Sequence, residues 1–336
     1  MICVFGAGSI GCYVGGRLAA AGAEVVLIGR PRLAHETALH GLTLTDLYGA
    51  ESHVPEPQFA TEPAAAAGAD LVLVTVKSAA TADAARALAP HLAPGAVVVS
   101  LQNGLRNAAV LREHLPEATV LPGMVAFNVV HLGEGRFHQG TAGDLGVQDH
   151  PALDAYADAF ADAGFALARR ADLVGVQAGK LLLNLNNAIN ALSGLPLKTQ
   201  LSQRDYRRCL ALSQREALEA FLHARILPAK TVAVPPGFLP MVLELPDAVF
   251  RRVAAKMLAV DPLARSSTWD DLEAGRPTEV DYLNGEIVAL AAEHGRVAPV
   301  NQRLTDLVHE AEAGGRRDWS GPELLAEMHR IIRARS

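Results

Sequence analysis

The chain has little sulfur. Its three cysteines, Cys3, Cys12 and Cys209, are too few and too scattered for a disulfide framework or a zinc site, and they predict buried thiols in a reducing compartment. It also lacks a basic block. Lys+Arg is 30 against Asp+Glu 36, a formal net charge of -6, so neither nucleic acid nor an anionic membrane surface is an expected partner. A locally basic pocket for a phosphorylated small molecule stays compatible with that balance. No run of about 18 uninterrupted apolar residues occurs, so no membrane span is expected. The apolar opening, 1–28, has no basic n-region and is interrupted by Gly6, Gly8, Gly11, Gly15 and Gly16, unlike a secretory signal. A cytoplasmic protein is expected. No Cys/His ligand cluster appears, so no metal is expected, and there is no internal repeat.

What is present is ample apolar material. Half of the 336 residues are hydrophobic, enough for packed cores, and at about 150 residues per domain the length predicts roughly two domains. The first half alternates short apolar runs with helix-like stretches. Strands are predicted at 2–5, 24–28, 71–76, 96–101, 120–130 and 143–147, and near Ala166, with helices over 9–21, 79–92 and 152–163. Strands that are apolar throughout, joined by helices, imply a parallel sheet covered on both faces. From about Asp172 strand signals nearly vanish. Helices are predicted over 174–192, 204–224, 240–258, 279–294 and 302–313, with a proline-rich loop over 227–237.

The first strand runs into Gly6-Ala7-Gly8-Ser9-Ile10-Gly11, a G-x-G-x-x-G that opens a helix. Alone the pattern is weak; between a strand and a helix it is specific. Gly6 permits the tight turn, Gly8 lets backbone approach a pyrophosphate, and Gly11 allows close packing of helix on sheet. The helix N-terminus supplies free N–H groups. The chain is therefore expected to be an α/β Rossmann-type dinucleotide-binding domain (1–172) followed by an all-α C-terminal domain (173–336). At the end of the second strand, NAD sites usually carry an acidic residue for the ribose 2′-hydroxyl. Here Arg30 stands 19 residues after Gly11, in Gly29-Arg30-Pro31-Arg32, with no Asp or Glu competing. A guanidinium suits a 2′-phosphate, so the expected cofactor is NADP(H).

Lys77 follows one central strand and Asn103 the next, where open α/β sheets bind ligands. At the domain junction, Lys180, Asn184 and Asn187 share one face if 174–192 is a single helix. A lysine and amides on an otherwise apolar helix need a polar ligand or one another. Further on, Thr278 is expected to cap a helix with Glu279 in its first turn, a placement that also suits a carboxylate aimed at a cleft.

Together these residues resemble the ketopantoate reductase (2-dehydropantoate 2-reductase) family. The resemblance covers most of the chain. It rests on the glycine turn, Arg30, Lys77, Gln102-Asn103-Gly104, Lys180-x3-Asn184 and, most specifically, Ser266-Ser267 with Arg276-Pro277-Thr278-Glu279. It implies NADPH-dependent reduction of a 2-keto acid, most simply ketopantoate to pantoate in coenzyme A precursor synthesis. Lys180 then looks like the catalytic lysine that protonates the carbonyl oxygen, and Glu279 the glutamate that orients it. Ser267 resembles the serine that holds the substrate carboxylate. Asn103 and Asn184 look like amides that contact substrate or nicotinamide, and Lys77 a cofactor-side lysine. The family's second helix amide usually falls near position 188, which is Ala here, so Asn187 or Asn190 takes its place. Asp270 stands where glutamine is common. Two alternatives stay open from the sequence: reduction of another 2-keto acid, and a non-catalytic NADP(H)-binding sensor. A homodimer is compatible with the helical domain.

Overall fold

The sheet begins where β-branched and aliphatic residues run without interruption. A computed structural model describes residues 1–165, 167–254 and 264–334. Chain contacts divide it into two compact units, Met1–Leu173 and Val174–Ser336.

In chain order the first unit runs β1 (Ile2–Phe5), α1 (Ser9–Ala20), β2 (Val25–Ile28), α2 (Pro31–His40), β3 (Leu42–Asp46), β4 (Glu51–Val54), β5 (Phe59–Ala60), β6 (Leu71–Val74), α3 (Thr81–Leu88), β7 (Val97–Ser100), α4 (Asn107–His114), β8 (Thr119–Val125), β9 (Val129–Gly133), β10 (Arg136–Gln139), β11 (Leu145–Gln148), α5 (Ala157–Asp162) and β12 (Leu167–Arg170). Eight strands form one sheet in the order β12-β11-β8-β7-β6-β1-β2-β5. β1 pairs in parallel with both β2 and β6, Cys3 lying opposite Val26 on one side and Val72 on the other. The chain moves outward from β1 first in one direction and then in the other. The switch point therefore falls between β1 and β6, where such sheets bind ligands beyond the strand ends. β1, β2, β6 and β7 are almost wholly buried, as a sheet covered on both faces requires. Cys3 and Cys12 are buried in its two cores, and burial pushes both thiols up to about 12, so they are unreactive packing groups.

Two features differ from expectation. The strand predicted over 120–130 is two strands. Phe127 is buried and Asn128 N–H donates to Thr141 Oγ1 at 2.8 Å, so the chain turns between β8 and β9. β9 then joins a second sheet, ordered β4-β3-β10-β9, that the sequence did not announce. Its core is Leu42, Leu44 and Phe137, packed beneath α1. The strand expected near Ala166 is β12, and Ala166 itself lies outside the described residues.

The second unit comprises α6 (Leu173–Asn184), α7 (Asn186–Ser193), α8 (Leu197–Leu201), α9 (Arg204–His223), α10 (Leu239–Leu243), α11 (Asp247–Val253), α12 (Ser267–Glu273), α13 (Asn284–Glu293), α14 (Pro299–Glu312) and α15 (Gly321–Arg333). It contains no strand among the described residues. The single helix expected over 174–192 breaks at Leu185 into α6 and α7. The one expected over 240–258 is interrupted before Pro246, which has no N–H to continue the ladder, and its end beyond Ala254 lies outside the described residues. α15 was not expected, although Ser320 and Glu323 form a capping box at its start. α9 is the central helix, packed by α10, α13 and α15. Its fully buried Arg207 donates to the carbonyls of Leu201, Leu243 and Leu245 and to Asp247, and stacks on Phe250 at 4.1 Å. One guanidinium thus satisfies the carbonyls freed where the chain stops being helical.

Candidate active site

In the first unit the glycine turn follows β1. Gly6 has φ +98°, a conformation that side-chain-bearing residues avoid, and a Cβ there would meet Val76 N at 2.5 Å. Gly6 and Ala7 N–H both donate to Ile28 O, at 2.9 and 2.8 Å, which seats the turn against the end of β2. A Cβ on Gly11 would lie 2.6 Å from Thr75 Oγ1, so this position lets α1 approach the β6 loop. Gly8 is the opposite case: a Cβ there would meet only Gly6 O, at 3.8 Å. Gly8 is also the N-cap of α1, no side chain caps the helix, and its first turn holds no acidic residue. Open space, uncapped backbone N–H groups beginning at Ser9 and Ile10, and a positive dipole end fit the pyrophosphate of a dinucleotide.

Arg30 is exposed and forms the N-cap of α2 through its backbone, Leu33 and Ala34 N–H donating to its carbonyl. Arg32 is paired with Glu36 at 3.5 Å. Of the two arginines at this turn, Arg30 is the one whose side chain no described residue engages.

The β6 and β7 ends are joined by a polar network that sequence reasoning only partly identified. Gln102 is buried; its Nε2 donates to Val76 O at 3.0 Å and to Thr81 Oγ1 at 2.7 Å, and its Oε1 accepts from Ser100 Oγ at 2.8 Å. Asn103 O accepts from Ser78 Oγ at 3.0 Å and from Asn107 Nδ2, while Thr81 Oγ1 donates to Asn107 Oδ1 at 2.8 Å. Lys77 is exposed in the loop this network fixes, and Asn103 is half-buried beside it. Ser78, Thr81 and Asn107 were missed. The signal for Ser78 and Thr81 was two small polar residues three apart just after an apolar strand; Asn107, at the start of α4, carried none.

In the second unit Lys180 lies on α6 and Asn184 one turn later, both half-buried. Burial pushes the Lys180 ammonium down to about 8, and the Glu279 carboxylate pulls in the opposite direction. The fold thus brings the two residues within each other's field although they are far apart in sequence. Glu279 does not stand in the first turn of an α-helix, as expected. It precedes a single 3₁₀ turn, Val280–Tyr282, and α13 begins only at Asn284. Thr278 Oγ1 accepts from Val280 N at 3.3 Å, a local turn contact, so helix capping does not account for Glu279.

The break at Leu185 sets Asn187 on α7, with Nδ2 3.4 Å from Ser267 Oγ at the exposed start of α12. Asn190 is different. It is fully buried, donates from Nδ2 to Leu195 O at 2.8 Å and accepts Ser266 N–H at 2.9 Å. Ser266, the N-cap of α12, accepts from Trp269 N and donates to Asn187 O at 3.1 Å. Asn190 and Ser266 therefore lace α7 to α12, and Asn187 and Ser267 present the polar atoms on that junction. Among the described residues no group of His, Cys, Asp and Glu is arranged to hold a metal, and no helix is long and apolar enough to cross a membrane.

A doubly wound, mostly parallel sheet, antiparallel only where β11 meets β8, with an open glycine turn at its first strand end, followed in the chain by a helical unit carrying a lysine and a glutamate within each other's field, defines a dinucleotide-dependent oxidoreductase. Comparison with known proteins gives the family. The ketopantoate reductase PanE/ApbA model matches residues 2–152, and the ketopantoate reductase PanE/ApbA C terminal model matches 172–312; the chain belongs to this family. It is 33% identical over 322 residues to a 2-dehydropantoate 2-reductase of Halobacterium salinarum, covering 94% of this chain and 99% of that one. It is 28% identical over 317 residues to one of Caulobacter vibrioides, covering 92% and 98%. A PanE/ApbA family ketopantoate reductase from Ralstonia eutropha JMP134 superposes with a TM-score of 0.81 at 32% identity, covering 93% of this chain and 98% of that one. D-mandelate dehydrogenase, solved with NADH and anilino(oxo)acetate, shares the fold at a TM-score of 0.77 and 19% identity, covering 93% and 98%.

Proposed function

We propose that the protein reduces 2-dehydropantoate to pantoate with NADPH, Lys180 donating the proton. The observation that carries the reading is the pairing of a lysine of depressed pKa with Glu279, in a unit that also sets Asn187 beside Ser267. When bound, the reduced nicotinamide supplies a hydride to the substrate's carbonyl carbon. Lys180 delivers the proton to the carbonyl oxygen and, as an ammonium, offsets the negative charge that develops there. Glu279 favours the ammonium form of Lys180, so the acid is charged when needed. Ser267 and Asn187 donate to the substrate carboxylate, and Asn184, one turn from Lys180, offers a further amide. Asn190 supports this group from behind. The turn from Gly6 to Gly11 holds the pyrophosphate, Arg30 the 2′-phosphate, and Lys77 and Asn103 the region beyond β6 and β7.

The fold shared with D-mandelate dehydrogenase favours a second reading on the same chemistry, another 2-keto acid as substrate. The test is NADPH oxidation, followed by its near-ultraviolet absorbance, with 2-dehydropantoate beside a panel of 2-keto acids, repeated with NADH. Turnover of 2-dehydropantoate above the panel supports the proposal. Turnover with another acid alone moves the substrate and keeps the lysine. Tight NADPH binding without any turnover sinks the catalytic roles.

A further inference from the structure

The segment that carries Glu279 is held by a bridge that proton donation does not itself require. His309, on α14, places Nε2 2.9 Å from Asp281 Oδ1 and Nδ1 2.8 Å from Glu312 Oε2. The other oxygen of Glu312, Oε1, accepts the Thr278 N–H at 2.8 Å. Thr278 and Asp281 flank Glu279 in the chain, so one imidazole and its carboxylate partners fix the segment 278–281 on both sides of it. Carboxylates only accept, so the bridge is complete only when both ring nitrogens donate, that is, when His309 is an imidazolium. Glu312 and Asp281 together hold its pKa above the usual histidine value. The groups that face His309 are Asp281, from the 3₁₀ turn that precedes α13, and Glu312, from its own helix. Arg303 of α14 is turned to Glu310 and to Glu327 of α15. A cation in the last turn of α14 also suits the helix dipole, but the dipole does not explain the link to Thr278 and Asp281.

We infer that His309 is a positioning residue: its bridge to Asp281 and Glu312 keeps the Glu279 carboxylate where it holds Lys180 as an ammonium. The consequence for turnover rests on the reading of Lys180 as proton donor; the effect on Lys180 itself does not. The chain has five lysines (Lys77, Lys180, Lys198, Lys230 and Lys256), so their ¹³Cε signals are resolvable in the full-length protein, and Lys180→Arg assigns the one of interest.

The experiment titrates that signal in the wild type, Glu279→Gln, His309→Ala and His309→Lys. Glu279→Gln is expected to lower the Lys180 midpoint and so to define the full effect of the carboxylate. His309→Ala is expected to produce at least half of that shift. His309→Lys, which restores a cation between the two carboxylates, is expected to return most of it. The alkaline limb of kcat is expected to move with the midpoint while the KM for NADPH holds, a split that general loss of stability would not produce. Glu312→Gln keeps an acceptor for Thr278 but weakens the ion pair. It is expected to shift Lys180 the same way by less, and it decides the matter if His309→Ala does not fold. A Lys180 midpoint that is unchanged in the folded His309 or Glu312 variants, or insensitive to Glu279→Gln, overturns the inference. If no 2-keto acid is reduced by the wild type, the functional proposal fails, and the lysine titration still decides the role of His309.

Discussion

If Lys180 is the proton donor, turnover should fall with rising pH far earlier than an ordinary lysine allows. Burial sets its pKa at about 8, against 10.5 for the unperturbed group, with Glu279 opposing the shift. At pH 7 about 91% of the side chains then carry the proton and at pH 9 about 9%, so a step that needs the ammonium slows ~tenfold across that interval. An unperturbed lysine would leave the same interval almost flat. The assay is kcat for 2-dehydropantoate at saturating NADPH between pH 6 and pH 10, with Lys180→Arg beside it. The guanidinium does not titrate in this range, so the variant should be slower and should lose the alkaline limb. A wild-type kcat that stays level to pH 9.5, or a limb that survives in Lys180→Arg, refutes the assignment.

The same burial makes Lys180 costly to the fold. A lysine whose folded pKa lies below its unfolded value binds fewer protons when folded between about 8 and 10.4, so stability rises with pH through that window. The shift corresponds to at most on the order of 3 kcal/mol at pH 7. Lys180→Met is thus expected to raise the urea midpoint at pH 7, with the gain shrinking towards pH 10.5, while abolishing turnover; a lower midpoint at pH 7 contradicts it. Arg30→Asp should lower the NADPH-to-NADH ratio of kcat/KM by about tenfold or more, since a charge-assisted hydrogen bond contributes roughly 1.5–3 kcal/mol; an unchanged ratio removes Arg30 from the cofactor site. Gln102→Leu removes the bonds from Gln102 to Val76 O and Thr81 Oγ1 and the acceptor of Ser100 Oγ, and should cost about 2–3 kcal/mol by chemical denaturation. Stability within error of wild type would show that the β6–β7 network does not matter.

Much of the first unit was legible because its strands are buried on both faces. Ile2–Phe5, Leu71–Val74 and Val97–Ser100 are continuous apolar runs, and such runs have few other places to go. The small sheet was not legible for the converse reason. β4 is largely exposed, and β9 alternates half-buried with exposed residues, so its apolar signal is diluted. β3 does alternate, Leu42 and Leu44 inward with Thr43 and Thr45 between, but its partner β10 comes some ninety residues later. In the helical unit the 3.6-residue period runs straight across Leu185 and does not mark the break there. Just past the break Asn186 exchanges both amide bonds with Gln200, a tertiary contact that the period does not reveal.

The candidate site was legible as a set of residue types but not as a division of labour. From the sequence Lys180, Asn184, Asn187 and Asn190 look alike, polar groups on an apolar helix that need partners, and Ser267 and Glu279 look like members of a polar stretch that leads into a helix. The structure separates them by what those partners are. Asn190 is fully enclosed and bonded to protein at both ends of its amide, so its substitution by Ala should lower stability by about 2 kcal/mol, because the Leu195 carbonyl and Ser266 N–H are left unpaired. Asn187 has one long contact, to Ser267 Oγ, and an otherwise accessible amide. Its substitution by Ala should leave the denaturation midpoint close to wild type and raise the KM for the keto acid. The two neighbouring asparagines therefore make opposite predictions from one measurement pair, midpoint and KM. An Asn190→Ala protein of unchanged stability but raised KM would reverse their roles, placing the substrate contact three residues further along α7.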